Sequence, residues 1–219
     1  MGWIAIVPAA GSGSRLERPE PKAFISLGGR MLVERALDML RAVPVERIVV
    51  AVPEDRLKEM DVILRPSESA VAGGASRADS VRRAFAALDP AAGDVVCIHD
   101  AARPLVSAEE AARVMRAAER VGAAIAATPV VDTIKRVDRG RVAGTVDREG
   151  LWAAATPQAF RGDVLRRALA GSRDATDEAS LCEAMGAAVE IVRVSRFAFK
   201  VTTAEDLELA EAILARRQG

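Results

Sequence analysis

A doubly wound α/β sheet is the fold class this chain predicts, and three observations carry the prediction. Continuous apolar runs at residues 4–7, 48–52, 95–98 and 123–127 read as strands buried on both faces, as in a parallel sheet. Helical patterns separate those runs, which is what a parallel sheet needs for its crossovers. The first run, Ile4-Ala5-Ile6-Val7, empties through Pro8 into a loop of small residues, Ala9-Ala10-Gly11-Ser12-Gly13-Ser14, that ends on Arg15. Ligands of such sheets sit beyond the carboxyl ends of the strands, so this loop is the first candidate site.

A chain of 219 residues with 50% hydrophobic content can fill one core, and residues 1–219 read as a single domain. After the first loop, Leu32, Ala36 and Leu40 share a helical face ahead of the strand at 48–52. A short strand-like stretch precedes Gly73-Gly74. The next helix opens at Ser76, with Asp79 at capping-box spacing, and buries Val81, Phe85 and Leu88. The strand at 95–98 leads to a second such pair, Ser107 with Glu110, and to the face Ala111, Val114, Met115 and Ala118.

The rhythm breaks after Val130. Residues 131–148 are polar and arginine-rich, with Gly140 and Gly144 as turn points, and Ile134, Val137, Val142 and Val146 cannot build a core of their own. This reads as an extended β-arm at about 131–150. Such an arm either folds over its own site or embraces a second subunit, and because a lone two-stranded ribbon is weak, a homodimer is the expectation. Regular structure then resumes: a helix after Asp163, another from about Asp177 to Gly186, strands around 189–194 and 197–201, and a last helix. Thr203 and Asp206 cap that helix, and Leu207, Ala210 and Leu214 give it an apolar face.

Thirty-one Lys and Arg balance 31 Asp and Glu, so no basic excess draws the chain to nucleic acid or to an anionic membrane. The first residues begin a strand without a basic segment and apolar h-region, and no apolar run reaches membrane-spanning length. Cys97 and Cys182 lack framework spacing and read as buried free thiols. A cytoplasmic location is the expectation.

The first loop is a phosphate cradle: successive backbone N–H groups can curl round an anion, and Arg15 and Lys22 supply formal charge. An ordinary tight connection with no ligand would also look this way. Leu16 stands where G-x-G-x-x-G needs its third glycine, and G-x-x-x-x-G-K-[ST] does not fit. Asp100, at the end of the strand at 95–98, faces the same crevice and is a hard oxygen ligand suited to a Mg²⁺ that bridges phosphates, or else a loop Asp bonded to nearby amides. His99, the sole histidine, reads as structural. Gly73-Gly74 allow a flat base to approach, and the helix start after them exposes N–H donors. Arg148 at the arm's base and Lys200 at a strand end complete the cations.

Taken together, these segments resemble the 2-C-methyl-D-erythritol 4-phosphate cytidylyltransferase family of the non-mevalonate isoprenoid pathway, nearly end to end. The resemblance is carried by Pro8-Ala9-Ala10-Gly11, Gly13, Arg15, Pro21-Lys22, Gly73-Gly74 with Arg77-Ala78-Asp79-Ser80-Val81, and His99-Asp100-Ala101-Ala102-Arg103-Pro104. It continues through Asp132-Thr133-Ile134-Lys135, Thr145-Val146-Asp147-Arg148, Thr156-Pro157-Gln158, Thr176-Asp177-Glu178-Ala179 and Lys200-Val201-Thr202. The chain departs from the family's usual pattern at Ala23, Ala75 and Thr203-Ala204.

The resemblance implies a Rossmann-like nucleotidyltransferase fold. It also implies a reaction of CTP with the sugar-alcohol phosphate that gives the CDP-alcohol and pyrophosphate. Carried over, Arg15 and Lys22 contact the triphosphate and stabilise the transition state, Asp100 holds Mg²⁺, and Lys200 stands at the reacting phosphates. Ala9, Ala10, Gly11, Gly13, Gly74, Ala75, Ser80 and Ala101 line the CTP site. Thr133 and Arg148 position the second substrate from the partner subunit's arm, and Arg103 and Thr156 are further candidates. Two alternatives stand beside it: a cytidylyltransferase for ribitol 5-phosphate, and a catalytically silent nucleotide-binding module on the same scaffold.

Overall fold

The computed structural model describes residues 1–11, 13, 16, 20–171 and 175–218. Its strands are β1 (Trp3–Pro8), β2 (Ser26–Leu27), β3 (Arg30–Met31), β4 (Val45–Val52), β5 (Glu68–Ala72), β6 (Val95–Ile98), β7 (Ala123–Pro129), β8 (Ile134–Asp138), β9 (Arg141–Val146), β10 (Trp152–Arg161) and β11 (Glu190–Arg193). Its helices are α1 (Leu32–Arg41), α2 (Leu57–Met60), α3 (Arg77–Leu88), α4 (Ala108–Val121), α5 (Gly162–Leu169), α6 (Glu178–Ala184) and α7 (Ala204–Gln218).

The central sheet runs β11-β7-β10-β6-β1-β4-β5. β1 pairs in parallel with both β4 and β6, and β4 with β5, whereas β10 is antiparallel to both of its neighbours. Strand order therefore reverses at β1, where the chain leaves toward β4 on one side and returns to β6 on the other. The loops after β1 and β6 emerge side by side at that switch point, the place where open α/β sheets bind ligands.

Period-two alternation divides the core. Ile4 and Ile6 of β1 pack with Val81, Phe85 and Leu88 of α3 and with Val164 and Leu165 of α5. Ala5 and Val7 face the other way, toward Val33, Ala36, Leu37 and Leu40 of α1 and Val114, Met115 and Ala118 of α4. The expected helix faces are thus buried on two sides of one sheet, an α/β Rossmann-like arrangement. A third cluster joins Leu207 and Ala210 of α7 to Leu16, Leu27, Leu32 and Leu105, and roofs the end of the sheet beside the β1 loop.

Local chemistry sets the ends of these elements. At α4 the Ser107 side chain accepts from Glu110 N while the Glu110 carboxylate accepts from Ser107 N, a complete capping box. At α3 only half of it forms: Ser76 Oγ accepts from Asp79 N, but the Asp79 carboxylate turns back to Ala75 N. Asp177 caps α6 through Ser180 N, and Thr203 with Asp206 caps α7. The arm is a two-stranded antiparallel sheet of β8 and β9, and Val137 and Val142 are exposed on it.

Three features differ from expectation. No strand forms at 197–201; Arg196–Ala198 is a 3-10 turn, because Arg103 takes the carbonyl of Ala198 and Val201 N donates to Ala102 O, leaving no run of backbone groups to pair with a sheet. β10 had no sequence signature. Its Ala-rich run holds Pro157, which cannot donate to a ladder, and the pairing with β7 shifts register between Ala154 and Gln158. The β2–β3 hairpin was also missed, although Gly28 and Gly29, both at positive φ, are the turn signal for it. Among the described residues no helix is long and apolar enough to cross a membrane.

Candidate active site

A cavity of about 540 Å³ opens at the switch point. Three loops and one later segment build it. The end of β1 and its loop contribute Pro8, Ala9, Ala10, Gly11 and Gly13, and the β5–α3 loop with the first turn of α3 contributes Gly74, Ala75, Ser76, Arg77 and Ser80. Asp100, Ala101 and Ala102 follow β6, and Lys22, Lys200 and Thr202 stand at the wall.

Small residues here serve close approach. A Cβ on Gly73 would collide with that of Ala10, so only glycine lets the β5 loop close against the β1 loop. Gly13 lies at φ +68° with the Lys22 side chain against its Cα, which secures both the turn and the seat of that lysine. The Ser80 hydroxyl accepts from Gly74 N at 3.0 Å and donates to Ser76 O at 2.9 Å, bracing the loop that opens α3.

Asp100 is the electrostatic centre of the cavity. It is 6% exposed, yet Arg77 Nε donates to its Oδ1 at 2.9 Å and Lys200 Nζ to its Oδ2 at 2.6 Å. Burial alone would favour the neutral acid; the charges of Arg77 and Lys200 outweigh it and hold the carboxyl well below the usual carboxylate range. Arg77 in turn donates from Nη1 to both carboxylate oxygens of buried Glu178, at 2.9 Å each.

Beneath the floor a second chain of hydrogen bonds locks the β6 loop. Asp100 N donates to Thr156 Oγ1 at 3.0 Å, Thr156 Oγ1 lies 3.4 Å from His99 Nδ1, and His99 Nε2 lies 3.2 Å from Arg103 O. One proton arrangement satisfies all of them. The Thr156 hydroxyl, accepting from Asp100, donates to Nδ1, and Nε2–H donates to the carbonyl of Arg103. His99 is fully buried and burial pushes it down to about 4, so it is a neutral brace rather than an acid or base at the cavity.

The structure brings Ala9, Ala10, Gly11, Gly13, Lys22, Gly74, Ala75, Ser80, Asp100, Ala101 and Lys200 to one cavity. Arg15 lies outside the described residues. Thr156 and Arg103 lie under the wall: Thr156 is buried, and Arg103 Nη1 donates to Ala198 O at 2.6 Å. Thr133 and Arg148 are exposed on the arm, where Arg148 donates to Val131 O, and neither lines the cavity of its own chain. Sequence reasoning assigned no role to Arg77 or Glu178. Their only signal was membership of short motifs, because the two residues lie 101 positions apart in the chain.

Comparison with known proteins gives a consistent result. The family model described as IspD, 2-C-methyl-D-erythritol 4-phosphate cytidylyltransferase, matches residues 3–216. A 2-C-methyl-D-erythritol 4-phosphate cytidylyltransferase of Nocardia farcinica is 47% identical over 98% of this chain and 94% of its own length. A bifunctional enzyme IspD/IspF of Desulfotalea psychrophila is 41% identical over 97% of this chain, which spans 57% of that longer protein. The crystal structure of the Thermus thermophilus 2-C-methyl-D-erythritol 4-phosphate cytidylyltransferase superposes with a TM-score of 0.82, at 36% identity, covering 99% of this chain and all of that one.

Proposed function

This chain belongs to the 2-C-methyl-D-erythritol 4-phosphate cytidylyltransferase family, and from that membership we propose how its residues transfer the cytidylyl group of CTP to 2-C-methyl-D-erythritol 4-phosphate with release of pyrophosphate. The observation that carries the proposal is the convergence of Lys22, Lys200 and ionised Asp100 on a cavity walled by small residues.

The nucleophile is a phosphate monoester whose second pKa of about 6 leaves it largely ionised near neutrality, so no side chain has to remove a proton. An oxygen of that phosphate attacks the α-phosphorus of CTP; the new P–O bond forms as the bond to the β-phosphate oxygen breaks, and pyrophosphate leaves with the electron pair. The obstacle is repulsion between anions. Lys22, seated against Gly13, and Lys200, which lines the same cavity, draw the triphosphate and the incoming phosphate into line and stabilise charge building on equatorial and leaving oxygens. Arg15, which lies outside the described residues, is assigned to the same triphosphate by the family resemblance. The glycine and alanine rim admits the flat base, with Ala9, Ala10, Gly11, Gly13, Gly74, Ala75, Ser80 and Ala101 forming the CTP site. Ala75 N, which donates to Asp79, exchanges that partner for the nucleotide.

A divalent cation, Mg²⁺ by preference, fits Asp100. No group of three or more His, Cys, Asp or Glu side chains gathers among the described residues, and a single hard carboxylate with substrate phosphates and water is the usual Mg²⁺ environment. When bound there, the ion neutralises phosphate charge. Arg103 and Thr156 serve by holding the β6 loop.

The arm supports a homodimer. Val131, Val137, Val142, Leu151 and Trp152 are exposed on it or at its base, an apolar ribbon of the kind that needs a partner. Thr133 and Arg148 then reach the alcohol phosphate in the neighbouring subunit's cavity. Buried free thiols at Cys97 and Cys182 suit the cytoplasm, and a balanced charge suits neither nucleic acid nor a membrane surface as partner.

Pyrophosphate release from CTP and Mg²⁺ tests the reading directly. Release is expected with 2-C-methyl-D-erythritol 4-phosphate and not without an acceptor. Release with ribitol 5-phosphate alone would move the acceptor, and silence with every acceptor would leave only nucleotide binding.

A further inference from the structure

Glu178 is the most deeply buried carboxylate among the described residues, at 2% exposure, and it does not line the cavity. Burial pushes its carboxyl up against the opposing pull of Arg77. An ion pair this enclosed, kept only for stability, could be replaced by apolar side chains at little cost. Its connections point elsewhere.

Arg77 is gripped from two directions. Nη1 donates to both oxygens of Glu178, Nε donates to Oδ1 of Asp100, and Nη2 is buried without a partner among the described residues. The guanidinium is planar, so fixing two of its nitrogens fixes its orientation. Glu178 is itself immobilised: Gln158 of β10 donates to Asp177 at 2.8 Å and accepts from Ala179 N at 3.3 Å, pinning both neighbours of Glu178 to the sheet. Lys200, by contrast, has a half-exposed side chain and holds only Oδ2. Of the two cations on Asp100, one is anchored and the other can leave.

We infer that Glu178 is a positioning residue for the transfer reaction: acting through Arg77, it fixes Oδ1 of Asp100 and so presents Oδ2, on the Lys200 side, for exchange between the lysine and a divalent cation. This role rests on Asp100 being the carboxylate that holds the metal. Groups bonded to a metal ligand, as Arg77 is to Asp100, commonly change metal affinity by about 10- to 100-fold when lost, and Glu178, one layer further out, acts at the low end of that range through Arg77.

The test is Mn²⁺ binding followed by electron paramagnetic resonance, in the presence of CTP and without acceptor, alongside kinetics and melting temperature. Glu178→Gln keeps the shape and one acceptor oxygen. It is expected to weaken Mn²⁺ binding about tenfold and to lower kcat by a similar factor, with the KM of the alcohol phosphate changed less than about twofold. Arg77→Lys is expected to give the same losses, and adding Glu178→Gln to it should cost little more, because Glu178 acts only through the guanidinium. A lower melting temperature with unchanged Mn²⁺ binding and kcat in Glu178→Gln would overturn the inference, as would losses that multiply in the double variant. If Glu178→Gln does not fold, Arg77→Lys decides alone, and wild-type Mn²⁺ binding in it overturns the role. Asp100→Asn is the control. Loss of Mn²⁺ binding there supports the metal site, whereas retained binding overturns the Asp100 assignment itself, a failure distinct from that of Glu178.

Discussion

His99 shows how a single residue's surroundings decide its chemistry. As the lone histidine beside a strand end it could have served as a base, and the sequence alone favoured a structural role. Full burial, Thr156 on one nitrogen and the Arg103 carbonyl on the other make that role definite. Burial lowers its pKa from 6.5 to about 4, so the unfolded chain binds the proton more readily between those values. The stability of neutral His99 is therefore complete above pH 6.5 and is lost as pH falls toward 4. The loss amounts to about 3 kcal/mol in total, because each tenfold difference in proton affinity between the folded and unfolded chain is worth about 1.36 kcal/mol. Denaturant unfolding of metal-free protein from pH 7 to pH 4 should show that excess slope in the wild type and not in His99→Gln. Coincident slopes would mean that folding leaves the proton affinity of His99 unchanged. Asp100 was legible as a candidate ligand from its place after an apolar run, and the structure places it in the cavity. Its partners were not legible, because Arg77 and Lys200 reach it from positions 23 and 100 residues away.

Elements with their own local code were the ones read most fully. Ser107 with Glu110 announced the start of α4, and the structure closes both arms of the box. Glu110 has a further task, since its other oxygen accepts from Ser195 N at 2.6 Å and ties the cap to the segment after β11. Ser107→Ala removes one reciprocal bond and should cost about 1 kcal/mol, a fall in melting temperature of about 2–4 °C for a chain of this size. An unchanged melting temperature would show that water replaces the cap without cost. β10 marks the opposite case. It carries no alternation and contains a proline, yet it is the strand between β6 and β7. Its strand state comes from ladders supplied by both neighbours, which local propensity cannot reveal.

At the scale of the whole molecule, the sheet and the arm divide the work. The cavity is assembled from loops of one chain, whereas Thr133 and Arg148 stand on a ribbon that contributes nothing to that cavity within its own chain. β7 and β10 are paired up to Pro129 and Trp152, so the ribbon can be cut at a closed base without disturbing the sheet. Replacing residues 132–147 by a short Gly-Ser linker should leave a folded monomer by sedimentation, with CTP affinity within about twofold of the parent and a strongly raised KM for the alcohol phosphate. A dimer that persists in the shortened protein would assign self-association to another surface, and an unchanged KM would remove the arm from substrate binding.

The sequence by itself determined the alternation of strands and helices, the buried faces, most helix starts and the arm, because each follows from spacing within a few residues: the two periods, cap pairs and turn glycines. The ordered motifs also pointed to the family, and their small residues, Lys22, Lys200 and Asp100 fall in one cavity. Only the tertiary structure decided that β10 runs antiparallel through the sheet, that residues 197–201 leave it, and that Glu178, Arg77, Asp100 and Lys200 form one line of alternating charge. The reason is physical. Periodicity and capping are local properties of the chain, whereas ladders and buried ion pairs exist only once folding brings segments a hundred residues apart within hydrogen-bonding distance.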